Sequence, residues 1–273
     1  MPTTTRIAPP ERLVEFDVAE LWTYRELLYF FVWRDLKVRY EQTFIGVAWV
    51  ILQPVLTMIL FSLLFGRLAG LPSDGLPYPI FYFAGLLPWT YFSQSATRAT
   101  NALVDNQRVI TKVYFPRILL PVSAVLAGLV DFAIGFVVLA LLLPFYGITP
   151  TAAAWTLPCF VALTVAAALA VGLALSALHA LYRDVRYVVQ FLLMVWMFVS
   201  PVAYPSSLVP ARWRWLYGLN PMAGAIDGMR WALAGQSPPD PVLLTASALT
   251  VLVLLLGGLA YFQHVDLTVA DVV

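Results

Sequence analysis

An almost uncharged run from Ile118 to Tyr182 constrains this chain more than any other feature. Asp131 is its only acidic residue, and it contains no lysine or arginine. A helix of about 20 apolar residues crosses the ~30 Å hydrocarbon layer of a bilayer with its backbone groups bonded internally. The run is long enough for two such helices, and the turn residues in PFYGITPT, residues 144–151, divide it. The sequence therefore predicts an integral membrane protein.

The composition of the whole chain agrees with this interpretation. It is 61% hydrophobic and 11% charged, whereas soluble domains carry roughly 25% charged residues. The predicted fold class is an all-α integral membrane protein with six transmembrane helices in residues 44–262. Residues 1–43 are expected to form a cytoplasmic N-terminal segment, and residues 263–273 a cytoplasmic tail. The expected spans are 44–65, 78–95, 118–143, 155–180, 187–203 and 242–262.

The lysines and arginines predict the orientation of these spans. Six precede the first span, four lie between the second and third, and two lie between the fourth and fifth. Only four of them fall on the opposite side. Because basic residues concentrate on the cytoplasmic side, both termini are expected in the cytoplasm. The first 17 residues contain no apolar stretch of the kind a cleaved signal peptide needs, so none is expected.

Two amphipathic elements are predicted on the cytoplasmic side. Residues 21–42, LWTYRELLYFFVWRDLKVRYEQ, are too charged to span and predict an interfacial helix whose basic side chains face water. The segment from Arg98 to Arg117 places apolar residues among polar ones and ends near Pro116. It favours a short helix on the membrane surface or in a groove of another protein. The alternative is a connector whose basic residues only enforce topology.

Sequence motifs for catalysis are missing. A phosphate-binding loop needs a Gly-Lys pair, but Lys37 and Lys112 follow leucine and threonine, and the sequence has no other lysine. The sequence also shows no metal-ligand cluster and no convincing nucleophile and base. A net charge of +1 predicts no nucleic-acid partner. The chain is therefore expected not to be an enzyme.

Asp131 is a carboxyl group predicted past the middle of a span, about 20 Å along the helix from Arg117. An ionised carboxylate at that depth is costly. A proton relay is one interpretation, and an interhelical hydrogen bond that fixes packing is the other. The sequence shows no basic residue at matching depth and no second acid, which favours the hydrogen bond.

An ordered set of motifs resembles one protein family. RDLKVRYEQTFIGVAWVILQP, DNQRVITKVYFPRILLP, YRDVRY and GLNPM, within residues 21–262, look like the permease subunit of ATP-driven (ABC) polysaccharide exporters of the O-antigen and teichoic-acid type. The resemblance implies a homodimer whose copies each dock a separate nucleotide-binding subunit, which holds ATP and Mg. It also implies transport of a polymer on an undecaprenyl diphosphate carrier across the bacterial inner membrane. No cofactor is expected in this chain.

The resemblance also assigns site residues. It implies a cytoplasmic entrance helix that carries Arg34, Lys37 and Arg39. It implies an external gate, built from a re-entrant or interfacial helix pair, at Trp213, Trp215, Tyr217, Asn220 and Pro221; the alternative there is a surface loop anchored by tryptophans. The implied coupling helix, which seats in the ATPase, contains Asn106, Arg108, Lys112, Tyr114, Phe115, Pro116 and Arg117.

Aromatic residues crowd the second predicted span. Sugar rings stack on aromatic side chains, and a translocation path needs weak, repeated binding sites. An ordinary aromatic belt at the membrane interface is the alternative. The candidates for a path are Trp49, Tyr82, Phe83, Trp89, Tyr91, Phe92 and Trp196.

Two other functions stay open from the sequence. The same scaffold could export a drug or another lipid, since no motif excludes it. An ion-coupled carrier is the second, but the sequence shows no inverted repeat and no paired broken helices.

Overall fold

The computed structural model describes residues 22–41, 46–149, 151–235 and 238–272, and the regular elements in these ranges are all helical. Short 3₁₀ segments cover Ala152–Thr156, Ser206–Leu208 and Ala211–Trp213, and a π-helix, Ser62–Leu68, follows α2 directly. The α-helices are α1 (Arg25–Tyr40), α2 (Gly46–Phe61), α3 (Tyr78–Asp105), α4 (Gln107–Ile110), α5 (Leu119–Phe145), α6 (Leu157–Leu181), α7 (Val185–Val199), α8 (Arg214–Tyr217), α9 (Pro221–Ala234) and α10 (Pro241–Val272).

Within the described ranges, four helical segments are long and apolar enough to cross a membrane. They are Ala48–Leu68, Leu119–Phe145, Ala152–Leu181 and Pro241–Asp266. The apolar helix α7 is shorter. The structure thus confirms an all-helical protein with several apolar helices.

The central helix of the bundle is α3. Its 28 residues give a length of about 42 Å, but polar side chains in its second half lower its hydropathy. Every residue from Ile80 to Trp89 is buried. Helices α2, α5, α6, α7 and α9 all pack against it. The first half of α3 is thus enclosed by neighbouring helices, while polar side chains of its second half, such as Gln94 and Arg98, are only partly buried.

The second predicted span is residues 78–95, and α3 continues beyond it to Asp105. Hydroxyl and amide side chains of this stretch bond within the helix. Thr97 donates to the Ser93 carbonyl at 2.7 Å, and Asn101 donates to the Thr97 carbonyl at 2.9 Å. These bonds satisfy the polar groups without ending the helix. Arg98 is therefore part of α3 and not part of a connecting loop.

The last helix also differs from the expectation of a separate tail after residue 262. Helix α10 runs without a break to Val272. Arg117 Nη1 donates to Asp266 Oδ1 and to its backbone carbonyl, both at 3.1 Å. The end of α10 is thereby tied to the segment that precedes α5.

The contact between α3 and α6 depends on a missing side chain at Gly172. A Cβ built there would lie 2.7 Å from the Cβ of Ala99. The methyl group of Ala99 is fixed to a helix backbone and has no rotamer that avoids this clash. The two helices can pack at this distance only because residue 172 is glycine.

We expect Gly172→Ala to destabilise the bundle by about 1–3 kcal/mol, because overpacking forces α3 and α6 apart. The measurement is the thermal unfolding midpoint of the purified protein in detergent. Gly257→Ala in α10 is the matched control, since its added Cβ meets nothing within 4 Å. It should unfold at the wild-type temperature or slightly higher. Equal midpoints for the two variants would contradict the packing argument.

Candidate coupling surface and substrate groove

One end of the bundle carries the connection between α3 and α5, and we call it the basic end. Helix α1 lies across it on a second apolar cluster, separate from the main core. Phe31 of α1 is 2% exposed, and its ring centroid lies 5.4 Å from that of Phe115. The buried members of the cluster are Phe31, Ala102, Leu103, Phe115, Ile118, Leu119, Leu120, Leu173, Ala177, Phe262 and Val265.

The connection itself has an anchored side and an exposed side. Phe115 is 4% exposed, whereas Tyr114 beside it is 75% exposed. Arg108 and Lys112 are exposed as well. This alternation leaves two cations and one aromatic ring available at the surface, on a base that is packed into the protein.

Four of the seven predicted coupling residues hold this base. The Asn106 amide donates to the Ala102 carbonyl at 2.8 Å, and its backbone carbonyl accepts from Val109. The Pro116 carbonyl accepts from Leu119, while Phe115 packs inward. Arg117 forms the ion pair with Asp266. The predicted coupling helix is shorter than expected, because only Gln107–Ile110 is α-helical.

The predicted entrance helix corresponds to α1, but its three basic residues do not share one face. Lys37 is exposed and pairs with Glu41 at 3.2 Å. Arg34 pairs with Asp35 at 2.8 Å and lies over the Phe31 ring. Arg39 points instead into the bundle, so the expectation that all three face water is wrong. The reason is that α1 packs against α5.

Asp131 of α5 is the acid that Arg39 meets. Its Oδ2 accepts from Arg39 Nη1, and also from Arg98 Nη1 and Nη2 at 3.2 and 3.3 Å. Its Oδ1 accepts from the hydroxyl of Tyr40. We call Arg39, Tyr40, Arg98 and Asp131 the ionic cluster. It joins α1, α3 and α5.

The prediction that Asp131 lacks a basic partner is therefore wrong. Distance along the chain places Arg98 and Arg39 in connections outside the spans, but helices α3 and α1 bring both of them to Asp131. Burial, together with the hydrogen bond to the Asp131 carboxylate, raises the pKa of Tyr40 to about 12. The Tyr40 hydroxyl thus keeps its proton at neutral pH and remains a donor.

A groove of about 360 Å³ lies between α3 and α7, beside the ionic cluster. Its end near Arg98 is polar, and the other end is apolar with one tryptophan. Arg98 Nη2 also donates to Gln94 Oε1 at 3.0 Å. The lining residues are Trp89, Ser93, Gln94, Thr97, Arg98, Gln190, Leu193, Met194 and Met197.

The aromatic residues predicted to line a path are mostly core residues. Trp49 on α2 is half exposed, and Trp196 of α7 is partly buried against Phe92 and Trp89, with ring centroids 5.3 and 6.4 Å apart. In this conformation α3 is enclosed, so most of its rings face neighbouring helices. The buried rings are Tyr82, Phe83, Trp89, Tyr91 and Phe92. Of these five, Trp89 alone also lines the groove.

At the opposite end, Asn220 organises the predicted gate segment. Its Oδ1 accepts from the backbone N–H of Met222 and from Trp196 Nε1, both at 3.0 Å. Its Nδ2 donates to Ser200 Oγ at 2.9 Å. Asn220 therefore caps α9, with Pro221 at the first helical position, and fixes α9 to the end of α7.

Two of the other predicted gate residues, Trp213 and Tyr217, line a second groove together with Asn220. Trp213 and Trp215 are about half exposed, and the Tyr217 hydroxyl bonds that of Tyr204 at 3.0 Å. The groove has a volume of about 580 Å³. Its lining residues are Trp196, Val199, Val209, Trp213, Leu216, Tyr217, Leu219 and Asn220.

Arg230 is a buried cation that sequence reasoning missed, having assigned it to the external side. Its Nε donates to the Phe81 carbonyl at 3.1 Å, and its Nη2 donates to the Val202 carbonyl at 2.7 Å. It also pairs with Asp227 at 3.5 Å. A Cβ at Gly85 would lie 2.4 Å from Nη2, so glycine there makes room for the guanidinium. An acid three residues before an arginine in an apolar helix was the available signal.

The long apolar helices packed around α3 are those of a multi-pass membrane protein. The family model for ABC-2 type transporters matches residues 26–234. The chain belongs to this family.

Relatives are similar over most of their length. The O-antigen export system permease protein of Myxococcus xanthus is 34% identical over 90% of this chain and 95% of its own length. A protein of the same name from Klebsiella pneumoniae is 29% identical over 72% of this chain and 76% of its own. The polysialic acid transport protein of Escherichia coli is 24% identical over 84% and 90% respectively.

We expect Arg230→Lys to lower the stability of the protein by about 2 kcal/mol, because an ammonium group cannot bond both carbonyls as the guanidinium fork does. The measurement is the thermal unfolding midpoint in detergent. Arg212→Lys is the matched control, since Arg212 is exposed and only stacks over Trp213. The control should behave as wild type. If the Arg230→Lys variant were as stable as the control, the two hydrogen bonds from the guanidinium to the Phe81 and Val202 carbonyls would not contribute to stability as expected.

Proposed function

We propose that this chain is the transmembrane subunit of an ATP-driven exporter that carries lipid-linked polysaccharide of the O-antigen type across the bacterial inner membrane. The observation that carries the proposal is the alignment with the Myxococcus xanthus O-antigen permease, which covers nearly all of both chains. The polysialic acid transport protein, a second polysaccharide transporter, aligns over a similar share of the chain. Membership of the ABC-2 type transporter family agrees with both.

The proposed assembly contains two copies of this chain, each with six spans formed by α2, α3, α5, α6, α7 and α10. Both termini lie in the cytoplasm, so the basic end faces the cytoplasm. The excess of lysine and arginine at the connections on that side supports the orientation. Helices α8 and α9 then lie at the external side and form the gate region.

ATP hydrolysis takes place in a separate nucleotide-binding subunit, of which two copies dock against the cytoplasmic face of the dimer. This chain lacks a phosphate-binding loop and so depends on that partner for energy. The docking site is the exposed side of the connection, with Arg108, Lys112 and Tyr114. Its anchored base supports the proposal, because a packed base transmits force to α3 and α5 better than a solvated loop does.

The substrate is a glycan on a polyprenyl diphosphate carrier, and α1 lies at its cytoplasmic entrance. A transport assay tests this function directly. Cells that express the complex with an inactive ATPase should accumulate the lipid-linked polymer on the cytoplasmic side of the membrane. Continued export of the polymer would overturn the proposal, and export of another lipid or a drug instead would replace the substrate.

We expect the double variant Arg108→Glu with Lys112→Glu to lose most association with the ATPase. Reversal of two exposed charges replaces attraction with repulsion at the docking site, and both side chains are exposed, so the fold should be retained. The measurement is co-purification of the ATPase from membranes, followed by ATP hydrolysis of the complex.

Arg212→Glu is the control for this variant. It reverses an exposed charge at the opposite end of the bundle, so it should co-purify with the ATPase as wild type does. Normal association and transport in the double variant would contradict the docking site. The basic residues of the connection would then serve only to fix the membrane topology.

A further inference from the structure

The groove between α3 and α7 ends at Arg98, which shares the carboxylate of Asp131 with a second arginine. Arg98 contacts the Asp131 carboxylate at 3.2 and 3.3 Å, while Arg39 bonds the same Oδ2 more closely. One carboxylate is thus divided between two guanidinium groups. An anion in the groove would therefore still be attracted to the guanidinium group of Arg98.

The lining of the groove changes along its length. Near Arg98 it presents the neutral polar side chains of Gln94, Thr97 and Gln190. Toward the membrane centre it presents Leu193 and Met197 with Trp89. A ligand that matches both ends has an anionic, hydrogen-bonding head and an apolar tail. This is the chemistry of a phosphate-bearing lipid.

Arg98 lies in the half of α3 that is nearer to the basic end. It lies seven residues before the end of α3, which is about 10 Å from the basic end of that helix. A long arginine side chain can reach from within the hydrocarbon toward the headgroup region. The planar guanidinium binds phosphate oxygens through paired hydrogen bonds, which a neutral amide cannot do with equal strength.

We propose that Arg98 and this groove form a binding site for the phosphate of a membrane lipid. The identification of that lipid as the polyprenyl diphosphate carrier of the glycan rests on the proposed function. A phospholipid has the same phosphate chemistry and is the other source. In either case Arg98 holds the head, and the apolar end of the groove takes the first part of the tail.

The test is equilibrium binding of radiolabelled polyprenyl diphosphate to the full complex with its ATPase, in a non-ionic detergent that contains no phosphate and without ATP. We expect Arg98→Gln to weaken binding about tenfold, as loss of a charged hydrogen bond predicts. Asp131 keeps Arg39 and Tyr40 as partners in this variant, so the fold should be retained. Arg98→Lys should recover part of the affinity, because it keeps the charge. Polyprenol, which has no phosphate, should bind wild type and variants alike.

Two further variants separate a binding site from a structural cluster. Asp131→Asn removes the competing carboxylate, so polyprenyl diphosphate should bind at least as tightly as to wild type. Arg186→Gln removes an exposed charge at the start of α7, outside the groove, and should bind as wild type does. Equal affinity of Arg98→Gln and Arg186→Gln would overturn the proposal. A tenfold loss in a folded Asp131→Asn protein would overturn it too, since the cluster would then act only through structure.

Competition with phosphatidylglycerol identifies the source of the phosphate. Binding that depends on Arg98 supports the site for either lipid, and the lipid with the higher affinity is its ligand. No Arg98-dependent binding of either lipid overturns the site. Because these measurements need no transport, a wild-type complex that binds lipid through Arg98 but exports no glycan contradicts the proposed function and not the site.

Discussion

The rest of the structure depends on one requirement, which is that the polar groups of the central helix α3 must find partners within the protein. Lipid chains cannot satisfy such groups. Thr97, Thr100 and Asn101 accordingly donate to carbonyls of their own helix. The neighbours approach α3 closely because Gly172 and Gly85 present no side chains. Arg230 fixes α9 to the α3 backbone at one end, and Arg98 links α3 to Asp131 toward the other.

The ionic cluster joins three helices at a cost in desolvation free energy, because its charges are partly removed from water. Removing charges from water costs several kcal/mol per ion, and good geometry often does no more than repay that cost. An apolar contact could hold α1 against α5 equally well. What the cluster adds is specificity, because Asp131 accepts bonds at two oxygens from defined donors of α1 and α3. The end of α1 is thereby set at one place on the bundle, next to the groove.

Much of the fold could be predicted from the sequence, and the parts that could not are tertiary. Long apolar runs predicted the helices that became α2, α5, α6 and α10, because hydropathy measures directly what faces lipid. The end of α3 was missed, since its polar residues bond within their own helix and lie under neighbours that sequence does not reveal. The same limitation hid the partners of Asp131. Composition also could not separate a ring that lines a path from a ring packed in the core, as Tyr82 and Phe92 show.

The basic end and the groove are connected through α1. Tyr114 is exposed beside Phe115, and the Phe115 ring packs on that of Phe31 in α1. At the end of α1, Arg39 and Tyr40 bond the carboxylate of Asp131. A movement of the connection between α3 and α5 must therefore either carry α1 with it or break the contact between the two phenylalanine rings. If α1 moves, the bond between Arg39 and the Asp131 carboxylate weakens or breaks, and that carboxylate can then pair more closely with Arg98. The attraction of Arg98 for an anion would fall at that moment. Under the proposed function, an ATPase that pulls on the connection would in this way weaken lipid binding in a groove that it never touches, as release of a transported lipid requires.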